Sequence, residues 1–436
     1  MMNIFRELNE RGFCYQSTDA TAIEQLLNTE KVKFYVGFDP TGSSLHVGHL
    51  LPVMAMRLLQ KAGHIPIVLV GGATGQIGDP SGKKSARPIL TKEEVAANVE
   101  ALKAQLARFI SVADGKAIFV NNLDWFKDIS YIDFLREIGY FFSVNRMLAQ
   151  DSVKSRLEDG LSFLEFNYSI LQAYDFYVLN RDLGCKMEFG GQDQWGNMVA
   201  GTELVRRKSG NEVHCMTIPL LLDSNGQKFG KTAGGNNVWL DVNRTGTFDY
   251  YQFWRNCDDG AVRQLLLYFS SLPTSEVNAL TAAGANINRA KEILAYEATC
   301  LAHGEAAARE AFLTAGGKFG FADPDKKVAT TSSVAAIEQT AAAIELPECA
   351  FERALFEGEG MPLPRLLVES GICKSTSDAR RLIQGGGVAI DEVRVDDVAK
   401  QVTAADFTGE ALVLRAGKKN FRRIVFKSQF QNSLRR

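Results

Sequence analysis

In the first half of this 436-residue chain, short apolar runs alternate with helical patterns, and that alternation restricts the fold more than any other feature. Lys33-Phe-Tyr-Val-Gly-Phe38 reads as a strand, and a helical pattern from Leu45 to Lys61 follows it. Ile65-Pro-Ile-Val-Leu-Val70 is a second strand; Thr91 to Phe109 is a helix opening on a Thr91-x-x-Glu94 capping box. Ala117 to Val120, Lys186 to Phe189 and Val213 to Leu222 are further strand candidates. Strands separated by helix-length segments pair through crossovers, so the pattern predicts an α/β domain built on a doubly wound, Rossmann-like parallel sheet. Such sheets bind ligands outside the carboxyl ends of their strands.

After Asp241 the pattern becomes helical: Phe248 to Cys257, Asp259 to Ser270, Ser275 to Ala283 and Asn288 to His303. A stretch rich in Ala, Thr and Ser, Val328 to Glu348, reads as a tether. Pro362 and Pro364 then open a small α+β unit, where Ser375-x-x-Asp378 caps a short basic helix that stops at Gly385-Gly386-Gly387. Val388 to Ile390 and Val393 to Val395 form a hairpin, and Leu412 to Leu414 leads into the basic Lys418 to Arg423. The expected organisation is a catalytic domain over 1–225, a helical domain over 226–327, a linker over 328–360 and a small domain over 361–436.

Charge separates these parts. From Met361 to Arg436 there are 14 Lys and Arg against 8 Asp and Glu, whereas the rest of the chain has 35 against 43. An acidic body with a basic tail fits a tail that meets a polyanion; a solvated charged surface is the plainer alternative. Seven scattered cysteines without a CxxC spacing indicate neither a disulfide framework nor a zinc site, and point to a reducing cytosol. No signal-peptide core opens the chain, and no apolar run approaches the roughly 18 residues of a membrane span.

Two strings carry the chemistry. In His46-Val-Gly-His49 the histidines are three apart and share a face if they open a helix. Lys228-Phe-Gly-Lys-Thr232 sets two lysines around a glycine in a polar, Gly-rich stretch that reads as a mobile loop. Glycine beside compact or cationic side chains suits a polyphosphate held against backbone. The second string is not a P-loop: Asn225 stands where the first glycine of that motif is required, and Ala233-Gly-Gly-Asn-Asn237 cannot continue a helix. Gly71-Gly-Ala-Thr-Gly-Gln-Ile-Gly78 imitates a dinucleotide fingerprint, but Asp79-Pro80-Ser81-Gly82 cannot extend a helix and the chain has no Tyr-x-x-x-Lys pair. Those glycines read instead as letting backbone approach a ligand, with Asp79 meeting a cation or amine; a tight structural turn is the alternative. Tyr168, Gln172 and Asp175 fall at i, i+4 and i+7, one helix face suited to a polar, zwitterionic ligand. Gly190 to Asn197 ends a strand with an acid and several amides, groups that read ribose hydroxyls. His64, His214 and His303 stand alone and read as structural.

Taken in this order, the strings resemble the bacterial tyrosyl-tRNA synthetases, class I aminoacyl-tRNA synthetases, from Phe34 through Thr232 and on through Asn237-Val-Trp-Leu-Asp241 and Tyr250 to Arg255. Pro364 to Asp391 resembles a small RNA-binding module. The resemblance implies a two-step reaction: tyrosine attacks the ATP α-phosphate to give tyrosyl-adenylate and pyrophosphate, and the 3′ end of tRNA(Tyr) then accepts the tyrosyl group. It implies catalytic roles for Thr41, His46, His49, Lys83, Arg87, Lys228, Lys231 and Thr232 on the phosphates. Tyr35 and Asp175 would bond the substrate phenol, and Asp79, Tyr168 and Gln172 its ammonium group. Gly37, Asp39, Gly48, Asp193, Gln194 and Lys231 would lie along the adenylate. Arg380, Arg381, Lys418 and Lys419 would contact tRNA. Mg²⁺ would accompany ATP without a protein metal cage, and the family implies a homodimer joined around residues 121–165. Glu188, Gln192, Val36 and Pro52 depart from the usual pattern, which has Gln and Ser at the first two positions. A tryptophanyl-tRNA synthetase, a small-molecule nucleotidylyltransferase and an RNA-binding protein without catalysis are the competing readings.

Overall fold

The structure is a computed structural model. It describes residues 3–81, 90–157, 160–222, 229–230, 236–337, 348–373, 375–391, 393–407, 409, 411–417 and 420–427. The chain forms two compact units, Met1–Thr340 and Ala341–Arg436.

The first unit is organised by a six-stranded sheet. Its strands are β1 (Gln16–Ser17), β2 (Lys33–Phe38), β3 (Ile65–Val70), β4 (Ile118–Asn121), β5 (Met187–Gly191) and β6 (His214–Ile218). Their spatial order is β1-β6-β5-β2-β3-β4, parallel throughout except for β1, which runs antiparallel along β6. The chain winds outward from β2 through β3 to β4, then returns to the other side of β2 as β5. That reversal between β2 and β5 is the switch point at which loops diverge and leave a crevice.

Alternation along each strand divides the interior into two cores. Phe34, Val36 and Phe38 of β2 join Val68 and Val70 of β3 on one face, with the helix Val47–Lys61. Tyr35, Ile67 and Leu69 point to the other face, among residues of the helices Tyr168–Leu183 and Trp195–Ser209. With both faces covered, the strands lack polar alternation, as parallel sheets do. The Thr91–Glu94 capping box forms and opens the helix Lys92–Leu106. The two-residue β1 carries too little pattern for sequence to reveal it.

The helices Thr247–Arg255, Val262–Phe269, Thr274–Leu280, Ile287–His303 and Glu305–Phe319 extend the first of those cores, with Trp254 fully buried. Arg289 is also buried, its guanidinium 3.1 Å from Glu292, so its desolvation is offset by a partner.

The second unit has its own core. Strands β7 (Glu348–Phe351), β9 (Val388–Ile390), β10 (Val393–Val395), β12 (Ala411–Ala416) and β13 (Asn420–Phe426) form a sheet in the order β10-β9-β12-β13-β7. The short β8 (Met361–Pro362) and β11 (Gln401–Val402) pair separately. β7 lies inside the stretch read from sequence as linker, and pairs in parallel with β13 from Arg423↔Glu348 to Phe426↔Phe351. Its flanking Ala and Thr residues concealed it. Ser375 caps the helix Thr376–Gln384, which carries the exposed Arg380 and Arg381; Arg381 pairs with Asp378.

Candidate active site

At the switch point, β2 gives way at its carboxyl end to Asp39, a turn, and the helix Val47–Lys61. His46 is the extended residue that caps this helix, and the two histidines close a reciprocal capping box. His46 Nδ1 accepts from Gly48 N at 3.0 Å, and His49 Nδ1 accepts from His46 N at 3.2 Å. An accepting Nδ1 leaves the ring proton on Nε2, so each neutral imidazole presents Nε2–H as a donor. The ring centroids are 3.9 Å apart. A donor pair on a helix N-terminus favours an anion.

The two sequence strings meet here. A Cβ on Gly48 would lie 2.9 Å from His46 Cε1, so the histidine folds over a position that a side chain would obstruct. Gly230, at φ +109°, lies with its Cβ direction 3.5 Å from Gly48 N, and its carbonyl accepts from Val238 N at 2.8 Å. Phe229 anchors this approach, with its ring 4.9 Å from Phe253 and 5.7 Å from Trp254. Phe-Gly at the middle of the second string therefore has a structural reason: one residue packs, and the other adopts backbone angles open to glycine.

Further into the crevice, Tyr35, Asp175 and Glu188 are each only 2% exposed. Asp175 accepts from Trp125 Nε1 at 2.9 Å and from Asn122 Nδ2 at 3.1 Å. Burial pushes its carboxyl well above the ordinary value; the Asn122 and Trp125 bonds oppose that, and the charges of Asp39 and Glu188 add to it. Tyr35 Oη is buried without a hydrogen-bond partner. A buried hydroxyl left unbonded beside a hydrogen-bonded acid suits a ligand hydroxyl placed between them.

Tyr168, on the same helix as Asp175, donates to Asp39 Oδ2 at 2.8 Å, while Thr74 donates to Asp39 Oδ1 at 2.7 Å. Asp79 accepts from Gln194 Nε2 at 2.7 Å and from Ser81 N at 2.9 Å. Burial raises the Asp79 carboxyl, and these bonds work against the rise. Gln172 donates to Glu188 Oε1 at 2.9 Å. A cationic ligand group beside such acids would favour their ionised forms.

One cavity of about 580 Å³ is bordered by Tyr35, Gly37, Asp39, Thr41, His46, Gly48 and His49. Asp79, Tyr168, Gln172, Asp175, Asp193 and Gln194 complete the group of described cleft residues expected from sequence. Lys83, Arg87, Lys228, Lys231 and Thr232 lie outside the described residues, as do Lys418 and Lys419. A larger hollow of about 890 Å³, bordered by Arg6, Arg57 and Lys61, contains none of the motif residues.

Of the two readings of the glycines after β3, the structure favours the tight turn: Gly71 and Gly75 make room for the protein's own residues. A Cβ on Gly71 would meet Asp39 Oδ1 at 2.3 Å, and one on Gly75 would meet Pro40 at 2.8 Å. Sequence reasoning missed Thr74, Asn122 and Trp125, which orient Asp39 and Asp175. The one available signal was position: Asn122 directly follows β4 and Asp39 directly follows β2, both at the carboxyl ends of parallel strands. His64 serves the backbone, its Nδ1 accepting from Val32 N.

Comparison with known proteins identifies the family. Residues 27–315 match the family model of class I tRNA synthetases (W and Y). Residues 338–424 match the tyrosine–tRNA ligase SYY-like C-terminal domain. A tyrosine–tRNA ligase of Clostridium beijerinckii is 47% identical over 428 residues, covering 98% of this chain and 100% of the relative. That of Clostridium tetani is 46% identical, covering 98% and 99%. The crystal structure of a C-terminally truncated mitochondrial tyrosyl-tRNA synthetase from Aspergillus nidulans superposes with a TM-score of 0.64 at 30% identity, covering 72% of this chain and 93% of that one. The chain belongs to the class I tRNA synthetases and, within them, to the tyrosine–tRNA ligases.

Proposed function

We propose that the cleft binds L-tyrosine and Mg²⁺-ATP side by side, joins them as tyrosyl-adenylate, and passes the tyrosyl group to the 3′ end of tRNA(Tyr). The observation that carries this reading is that a single cavity is bordered both by the buried pair Tyr35 and Asp175 and by the histidine-capped helix start. The tyrosine phenol lies between Tyr35 and Asp175, and its ammonium group lies against Asp79, Tyr168 and Gln172. The adenylate runs past Gly37, Asp39, Gly48, Asp193 and Gln194.

A carboxylate attacking the α-phosphate in line needs no general base, so rate comes from positioning and from stabilising the charge that passes to pyrophosphate. His46 and His49 supply Nε2–H donors to that charge, with Thr41 beside them. Lys83, Arg87, Lys228, Lys231 and Thr232 are assigned to the same leaving group from sequence. Mg²⁺ arrives on the triphosphate; among the described residues, no group of three or more His, Cys, Asp and Glu is placed to hold an ion. Phenylalanine is rejected because it would leave Tyr35 and Asp175 buried without their partner.

The second unit presents Arg380 and Arg381 on an exposed helix face, and with Lys418 and Lys419 these form its proposed tRNA contact. Tyr131, Ile132, Tyr140, Val144 and Phe163 are between 59% and 80% exposed, an unusual concentration of apolar surface, and we assign this segment to a homodimer. Tyr140→Lys should then lower the mass seen by light scattering to that of one chain. All seven cysteines are free thiols, in keeping with a cytoplasmic setting, and no helix among the described residues is long and apolar enough to cross a membrane.

Amino-acid-dependent exchange of labelled pyrophosphate into ATP tests the reading. Exchange with tyrosine alone is expected. Exchange with tryptophan would transfer the assignment to that amino acid, and exchange with neither would remove the ligase reading.

A further inference from the structure

Two strands bring an acid against the residue that reads the substrate phenol. Tyr35 on β2 and Glu188 on β5 are direct neighbours across the parallel pairing. Glu188 Oε1 accepts the Gln172 amide at 2.9 Å, whereas Glu188 Oε2 and Tyr35 Oη are both buried without a hydrogen-bond partner. Each lacks a bond that the other could supply, and such pairs are rarely left unsatisfied in an interior.

Which of the two donates decides what tyrosine meets. A phenol has one proton. If Glu188 is a carboxylate, Tyr35 donates to it and can only accept from the substrate. If Glu188 is a carboxylic acid, Oε2–H donates to Tyr35 Oη, and the Tyr35 proton turns toward the substrate oxygen, whose own proton goes to Asp175.

We propose that Glu188 is a specificity-positioning residue whose proton sets the direction of a hydrogen-bond chain running Glu188 to Tyr35 to substrate phenol to Asp175. This rests on the tyrosine pocket proposed above and adds a control to it. In the acid form every donor has one acceptor along the chain. In the carboxylate form the substrate oxygen loses a donor and faces a second buried negative charge, so tyrosine binds more weakly as pH rises.

The surroundings place that change near neutrality. Burial pushes the Glu188 carboxyl up to about 7, while the Tyr35 hydroxyl and the Gln172 amide hold it down. The other titratable neighbours are Tyr35 from β2, Asp175 from the helix Tyr168–Leu183, Cys215 from β6 and Cys185 just before β5. Burial raises Tyr35 and both thiols further from neutrality. Asp175 and Asp79, both raised by burial, are the competing sources of a pH effect, and the test separates them from Glu188.

The test compares wild type, Glu188→Gln and Tyr35→Phe by pyrophosphate exchange between about pH 6 and pH 8, with KM for tyrosine and kcat resolved separately. In Glu188→Gln the amide can donate permanently to Tyr35, so KM should stay flat. In wild type, KM should rise about three- to tenfold across the range with little change in kcat. Tyr35→Phe removes the link, and its KM, though higher, should also be flat. The same rise in wild type and Glu188→Gln, or a rise that survives in Tyr35→Phe, would overturn the proposal and place the pH effect outside Glu188; ionisation of Asp175, the acceptor of the phenol proton, would instead lower KM as pH rises. A flat wild-type KM would overturn it too. Failure of the underlying reading looks different: wild type would then show no exchange with tyrosine at any pH. Equilibrium dialysis of tyrosine against unaltered enzyme over the same range does not depend on whether either variant folds. Affinity should fall as pH rises, and a constant affinity would again overturn the proposal.

Discussion

The two ends proposed for the cleft are built by opposite means. At the phenol end, Tyr35, Asp175 and Glu188 are almost wholly buried, and Asp175 is held by side chains from other parts of the fold. At the end proposed for the phosphates, the groups are partly buried imidazoles and backbone at the first turn of one helix. The difference follows from what each must do. Telling tyrosine from phenylalanine means detecting one hydroxyl, and the energy that does so is the penalty for leaving buried groups unbonded. A triphosphate declares itself by charge and must leave as pyrophosphate, so a deep buried site would bind the product as firmly as the substrate.

Mutations at the two ends should therefore fail differently. The largest effect is expected for His49→Ala, which removes one of the donors proposed for the departing phosphates. It should lower kcat for exchange by roughly 10²- to 10³-fold and leave tyrosine affinity nearly unchanged. A loss confined to tyrosine KM would break the division between the ends. Asp175→Ala should follow, with kcat/KM for tyrosine reduced about a hundredfold, ATP binding retained, and phenylalanine gaining on tyrosine as a substrate. If tyrosine were still preferred as strongly, specificity would lie elsewhere.

The smallest effect sharpens the comparison through stability. The Glu188 carboxyl is raised in the folded chain from an ordinary value near 4.5 to about 7. Its contribution is thus fully present below the ordinary value and is lost as pH rises through the folded one. Glu188→Gln has no such loss, so at pH about 8 it should be the more stable protein, by on the order of 2 kcal/mol. Urea titrations of both proteins across this range check the sign. Equal pH dependence would mean that Glu188 is already ionised throughout.

Much of the fold was legible because its signals are local. Each strand and its following helix are contiguous, and the Thr91 capping box lies within four residues. β1 and β7 were not legible, since their pairing with β6 and β13 supplies what their own sequences lack. The site divides in the same way. Tyr168, Gln172 and Asp175 show as one stripe because helix periodicity places them on one face, whereas Asn122 and Trp125 show no relation to Asp175 until the chain is folded.

The amino-acid sequence by itself determined the alternating α/β order, the two strings proposed for phosphate, the polar stripe and the tyrosine–tRNA ligase reading. Tertiary structure alone decided that Gly230 abuts Gly48, that Gly71 makes room for Asp39, and that Glu188 stands beside Tyr35. The physical reason is range. Periodicity and capping act within a turn or two, but a hydrogen bond such as that from Tyr168 to Asp39 joins residues 129 positions apart. Only the pairing of β2 with β5 brings such residues within reach of each other.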